Sequence, residues 1–165
     1  MIITDDDLPQ IREDYKTKKI VLGSGTFDLI HRGHITFLKM LREHGDIVVV
    51  VVTSNKKVTK NKGSARPIQD EKDRALIIDS MKYVDYVVIG SYVDLAPGEI
   101  RKSVTVRVAE KLKPDIFLTM KEEWKSREVE LTSVGVREVL YIPSIKENST
   151  TAIVDRVCSV NGVGR

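Results

Sequence analysis

The 165-residue sequence is short of several things: it has one cysteine, one tryptophan, and aromatics at only 5% of positions. A single cysteine, Cys158, excludes an intrachain disulfide framework and any multi-cysteine zinc site, and it suits a reducing compartment. The longest aliphatic run, Ile47 to Val52, is far too short to cross a bilayer and reads instead as a strand. The acidic opening Thr4-Asp5-Asp6-Asp7 lacks the basic-then-apolar pattern of a secretory leader, so a cytoplasmic protein without membrane association is expected. Charge is nearly balanced, at +3. That excess is too mild to argue for nucleic-acid binding, and with so few aromatics there is no stacking stripe for bases, so no nucleic-acid partner is expected.

What is present is an ordinary globular composition, 41% hydrophobic and 31% charged, in a chain long enough for one domain with its own core. The organising stretch is Gly23-Ser24-Gly25-Thr26-Phe27-Asp28-Leu29-Ile30-His31-Arg32-Gly33-His34. It follows the strand-like Lys19 to Leu22 and leads into a helix-like run, Ile35 to His44. A strand, a glycine-bearing turn and a helix in that order bring a helix N-terminus to a sheet edge, where unpaired N–H groups and the helix dipole attract anions. His31 and His34 flank Arg32-Gly33 at that mouth, and Gly33 permits close approach of the backbone. Phosphate chemistry is the natural reading.

The remaining elements fall around this one. Ile35, Leu38 and Leu41 form the expected buried face of the first major helix. Ile47 to Thr53 is apolar almost throughout, the pattern of a strand covered on both faces, so an α/β, Rossmann-like doubly wound parallel sheet with helices on both faces is expected. Ser54 to Ile68 is basic and turn-rich, with Lys56, Lys57, Lys60, Lys62 and Arg66 and no acidic residue; it reads as a loop at a strand's carboxyl end. A helix follows Asp70, a strand Val84 to Ile89, and a helix with Ile100, Val104, Val108 and Leu112 as its buried stripe. Asp115 to Thr119 and Glu138 to Ile142 are further strands, with Trp124 on a polar turn and a helical stretch from Ser126 to Val134 between them. Ser149-Thr150-Thr151 then opens an amphipathic helix, with more hydroxyls than one cap requires. One domain over 1–165 is expected, with a short helical lead-in over 1–18 and the catalytic core over 19–157.

Gly25-Thr26-Phe27-Asp28-Leu29-Ile30-His31-Arg32-Gly33-His34 resembles the H-x-G-H signature of the cytidylyltransferase-like nucleotidyltransferases, which include glycerol-3-phosphate, heptose-phosphate and flavin nucleotidyltransferases. The resemblance extends to Arg66-Pro67 followed by Glu71-Lys72-Asp73-Arg74, and to Ser149-Thr150-Thr151 ahead of an aliphatic helix. Lys121-Glu122-Glu123-Trp124 is similar to the Gly-Asp-Asp-Trp stretch of the glycerol-phosphate enzymes, although its glycine is missing; Ser144 stands where those enzymes carry an arginine.

The resemblance implies attack by an acceptor phosphate oxygen on the α-phosphorus of a nucleoside triphosphate, with pyrophosphate leaving. It assigns His31 and His34 as hydrogen-bond donors to the phosphates, and Lys60 and Arg74 as partners of the departing pyrophosphate. Gly25, Thr26, Phe27, Asp28, Gly33, Lys62, Trp124, Ser149, Thr150 and Thr151 are assigned to the nucleotide. Mg2+ is implied as cofactor, carried mainly by the nucleotide, with Asp28 supporting the ion or fixing the turn. The expected donor is CTP and the expected acceptor a small glycerol- or sugar-phosphate. The alternatives are ATP, with heptose-1-phosphate or flavin mononucleotide as acceptor, or a regulator that binds nucleotide without chemistry. A homodimer is also implied.

Overall fold

The structure, a computed structural model, describes residues 1–90, 103–120, 122–143 and 149–160. The expectations for Ile100, Lys121 and Ser144 lie outside the described residues.

Six strands form one sheet: β1 (Ile2–Ile3), β2 (Ile20–Gly25), β3 (Ile47–Thr53), β4 (Tyr86–Gly90), β5 (Ile116–Thr119) and β6 (Glu138–Tyr141). Their order is β1-β4-β3-β2-β5-β6, and every neighbouring pair is parallel. The chain steps outward from β2 through β3 to β4, then returns to place β5 on the other side of β2. The carboxyl ends of β2 and β5 therefore border the crevice where a doubly wound sheet takes its ligand.

Both faces are covered, as the unbroken valine run of β3 requires. Alternate strand residues divide between two cores. Val21, Val48, Val50, Val52, Ile116 and Leu118 meet helices α2 (Arg32–His44) and α4 (Glu71–Asp79). Ile20, Leu22, Val49, Val51 and Phe117 meet α1 (Leu8–Asp14), α5 (Val104–Leu112) and α6 (Glu128–Ser133).

The helical lead-in packs onto the sheet: Leu8 and Ile11 are buried under it, and β1 pairs with β4 at its edge. Two local expectations need correcting. On α2 the inward residues are Phe37, Leu38 and Leu41, while Ile35 is 42% exposed. The reason is Gly23: a Cβ there would stand 2.7 Å from Leu41 and 3.0 Å from Phe37, so these two side chains fill the space that its missing side chain leaves. Finally, Ser54 to Ile68 is not all loop. Asn55–Lys62 is a helix, α3, packed through Val58.

The end of the sheet away from the crevice is tied together by Asp115. Its carboxylate accepts from the Ile20 amide at 2.8 Å and pairs with Arg12 at 3.0 Å and Arg137 at 2.7 Å. Burial works against the charge, but the amide and the two guanidiniums outweigh it and hold the pKa below the usual carboxylate range. Asp115→Ala leaves the Ile20 amide unpaired and two arginines without their partner. It is expected to lower unfolding free energy by about 2–3 kcal/mol in a urea titration, without altering ligand binding at the opposite end of the strands.

Candidate active site

The turn between β2 and α2 carries the signature. Phe27 and Leu29 both adopt positive φ, 53° and 51°, in a region that branched and bulky side chains seldom enter. Asp28 between them is 3% exposed. Its carboxylate accepts from the Ile68 and Gln69 amides, each at 3.1 Å, and pairs with Arg66 at 3.2 Å. Asp28 therefore fixes the turn to the segment before α4, and its side chain is not offered to a nucleotide. Phe27 is likewise buried, with its ring against Phe37 and edge-on to His34 at 5.3 Å.

His31 is the N-cap of α2. Its Nδ1 accepts from the Gly33 amide at 3.1 Å, which leaves Nε2 as the N–H of the neutral ring. Helix geometry then stacks His34 on His31, with ring centroids 3.8 Å apart and 23° between the planes. Burial pushes the His31 pKa down. Burial, followed by the positive charges of His31 and Lys62, lowers His34 to about 4 against the opposing effect of Asp28. At neutral pH His34 is therefore uncharged, and its buried Nδ1 has no hydrogen-bond partner among the described residues.

A cleft of about 460 Å³ opens on the other side of the Ser24-Gly25-Thr26 strand end. Val51, Thr53 and the α3 residues Lys57, Val58, Asn61 and Lys62 form one wall. Ser103, Val104, Thr105 and Arg107 of the α5 start, with Trp124 and Arg127 of the 3-10 helix Glu122–Arg127, form the other. Trp124 is almost fully buried, packed edge-on against Phe117 at 4.9 Å, with the Arg127 guanidinium 5.2 Å from its ring centroid. Four cationic side chains and one acidic one, Glu123, line this space, a composition suited to an anion.

The structure thus sorts the residues singled out from the sequence. Gly25, Thr26, Lys62 and Trp124 meet at the cleft, and Lys62 also lies close enough to His34 to act on its charge. Lys60, three residues along α3 from Lys57, is exposed and does not line the cleft. Arg74 is not directed at pyrophosphate: it is fully buried and donates to the carbonyls of Gln69, Thr26 and Thr53 and to Asn55 Oδ1. Ser149 is a cap, accepting from the Ala152 amide at 3.1 Å, and Thr151 is exposed. Thr150 donates to the Asp28 carbonyl and so brings the start of α7 (Thr150–Val160) beside the signature.

Lys57, Asn61, Arg107 and Arg127 were not singled out from the sequence. The signal for the first two was the i, i+4 spacing of Lys57 with Asn61 and of Val58 with Lys62 after Ser54, one helical face hidden in a lysine run.

The described residues do not build a magnesium cage. Both Asp28 oxygens are engaged by amides and Arg66, and among the described residues no three His, Cys, Asp or Glu side chains are grouped to hold a metal ion. No helix among the described residues is long and apolar enough to span a membrane.

The cytidylyltransferase-like family model matches residues 22–156. The chain belongs to this family. It is a nucleotidyltransferase-type domain, as the signature residues led us to expect. The bifunctional protein HldE of Campylobacter concisus is 34% identical over 152 residues, which are 92% of this chain and 30% of that protein. HldE of Nitratiruptor sp. is 39% identical over 142 residues, 86% of this chain and 28% of the relative. The chain therefore spans under a third of these relatives. Among solved structures, the lipopolysaccharide core biosynthesis protein from Thermoplasma volcanium superposes with a TM-score of 0.60 at 26% identity, covering 78% of this chain and 99% of that one. Pantoate-beta-alanine ligase from Francisella tularensis, at 18% identity and TM-score 0.63, shares the fold; the match covers 89% of this chain and 68% of the ligase.

The His34 shift has a stability consequence. Between pH 6.5 and about 4 an unfolded His34 takes up a proton that the folded one refuses, so stability falls as pH drops through that window. His34→Gln should remove on the order of 2 kcal/mol of this acid sensitivity. Urea midpoints measured at pH 7, 5.5 and 4.5 check it, and parallel curves for both proteins would contradict it.

Proposed function

We propose that this domain transfers a nucleoside monophosphate from CTP or ATP to a small phosphorylated acceptor, of sugar-phosphate type, with release of pyrophosphate. The observation that carries this reading is a two-sided anion site. A neutral histidine pair stands on one side of the Gly25-Thr26 strand end, a cation-lined cleft lies on the other, and Lys62 acts on both.

In this arrangement the triphosphate lies over the N-termini of α2 and α7, which meet at the signature through the Thr150 bond to Asp28. His31 and His34 donate to its phosphoryl oxygens. The acceptor phosphate enters the cleft among Lys57, Lys62 and Arg107. One of its oxygens forms the new bond to the α-phosphorus, and the bond from that phosphorus to the bridging oxygen breaks, so both electrons leave with pyrophosphate. No covalent enzyme intermediate is required. Rate enhancement comes from in-line positioning and from donors already aimed at the oxygens that gain charge. Keeping His34 neutral suits that role, because the donor needs no proton-transfer step.

A sugar-phosphate acceptor is favoured over glycerol phosphate by the relative named for lipopolysaccharide core biosynthesis, since such a core is carbohydrate. Magnesium enters this proposal with the triphosphate and not through a carboxylate cage. The cytoplasmic setting and the homodimer belong to the same proposal; light scattering on the purified protein reads the second directly.

Pyrophosphate release in the presence of magnesium tests the reading, with CTP and ATP each paired against heptose-1-phosphate, glycerol-3-phosphate and flavin mononucleotide. Turnover is expected with one triphosphate and a sugar phosphate. His34→Ala should lower kcat about a thousandfold with the fold intact by circular dichroism. Lys62→Ala should raise the acceptor KM by about tenfold. Tight triphosphate binding with no release from any pair would replace transfer by a regulatory, non-catalytic role.

A further inference from the structure

Among the described residues Arg74 is the largest fully buried side chain. Its guanidinium donates to four uncharged oxygens: the carbonyls of Thr26, Thr53 at 2.8 Å and Gln69 at 3.0 Å, and the Asn55 side chain at 2.8 Å. Burial pushes its pKa down, and Asp28, Glu71 and Asp70 oppose that shift from nearby. A buried cation held mainly by carbonyls is a weak source of net stability compared with an apolar residue of the same volume. What it does supply is geometry. The four oxygens come from the end of β2, the end of β3, the first residue of α3 and the entry to α4.

Two of these carbonyls belong to the strand ends that border the cleft. A carbonyl oxygen facing an incoming phosphate repels it. Turned toward Arg74, the Thr26 and Thr53 oxygens are held by a cation. Because a trans peptide unit is planar, the N–H groups of Phe27 and Ser54 in those same units then point away from the arginine. The Asn55 contact fixes the start of α3, the helix that carries Lys57, Asn61 and Lys62 along the cleft wall.

We propose that Arg74 is a positioning residue that sets the distance and orientation of the α3 cations relative to Thr26. It thereby governs acceptor binding and turnover without touching either substrate. This rests on the reading of the cleft as the acceptor site.

Arg74→Lys keeps the charge but replaces a planar fork with one ammonium that cannot reach all four oxygens. Asn55→Ala removes the Arg74 contact to α3, together with the Asn55 Nδ2 bond to Asp70, and leaves the bonds of Arg74 to Thr26 and Thr53 in place; it stands in if the lysine variant does not fold. In the pyrophosphate-release assay the acceptor KM should rise about tenfold and kcat fall about a hundredfold in Arg74→Lys, with the triphosphate KM changed less than about threefold. Asn55→Ala should show the same split at smaller size. A merely structural role would lower melting temperature and apparent kcat together and leave both KM values in place; that result overturns the proposal.

Hydrogen exchange gives a second readout that needs no activity. Residues 20–30 and 53–62 should lose protection together in Arg74→Lys, and residues 53–62 in Asn55→Ala, while β5 and β6 keep theirs. Loosening confined to α4, or spread over the whole sheet, also overturns the proposal. If the unmodified protein releases no pyrophosphate with any acceptor, the functional reading fails, and the exchange pattern alone decides the role of Arg74.

Discussion

The site depends on one buried carboxylate. Asp28 sits between two residues in left-handed backbone, Phe27 and Leu29, a conformation that costs roughly 1 kcal/mol or more for each non-glycine residue. Amides of Ile68 and Gln69, and the Arg66 guanidinium, bind its side chain, while its own carbonyl receives Thr150. One residue thus joins the signature turn to the α4 entry and to the N-terminus of α7. If the charge were removed, the turn would lose its anchor, two amides would be left unsatisfied, and Arg66 would be unpaired in a nearly dry corner. The strained turn persists because its surroundings determine it several times over, which is the usual condition for strain at a functional site.

Electrostatics divides the site. On the α2 side burial keeps two stacked imidazoles uncharged, since a second imidazolium 3.8 Å from the first would face both desolvation and repulsion. On the α3 side lysines and arginines line an open cleft. A neutral donor suits an oxygen that gains charge during transfer, while fixed cations suit a phosphate that is charged throughout. Lys62 lies where these two regimes meet, and its charge is one of the forces that keep His34 neutral.

The parts legible in the sequence were those that express a period or a motif. The valines of β3 could only be a strand covered on both sides, and H-x-G-H after a strand could only be a helix start at a sheet edge. Asp70 caps its helix where capping chemistry allows, accepting from Lys72. The parts that were not legible depend on contacts across the chain. Asp28 and Arg74 look like ligands in a motif, and only the fold shows that their polar atoms are consumed by backbone from elsewhere. Ile35 and Phe37 compete for one face of α2, and the choice is made by Gly23 on a different element. The lysine-rich α3 hides its helix because Val58 is its one buried residue, too little apolar signal to reveal a period.

These two kinds of residue divide the work. The sheet order and the strand–turn–helix at its centre set where the candidate site lies, and a ligase at 18% identity shares the fold that supplies this frame. Frame alone therefore carries no acceptor preference. The preference must reside in the walls of the cleft, supplied by α3, the start of α5 and the Trp124 segment, all outside the signature. In the proposed reading, Trp124 packed edge-on against Phe117 bounds that space, and Lys57, Lys62 and Arg107 are the cations that would meet a phosphate within it. A change of acceptor would then call for substitutions in these walls and none in the turn. The turn's own constraint runs the other way: Asp28 and Arg74 must hold the strand ends still, whichever acceptor the walls admit.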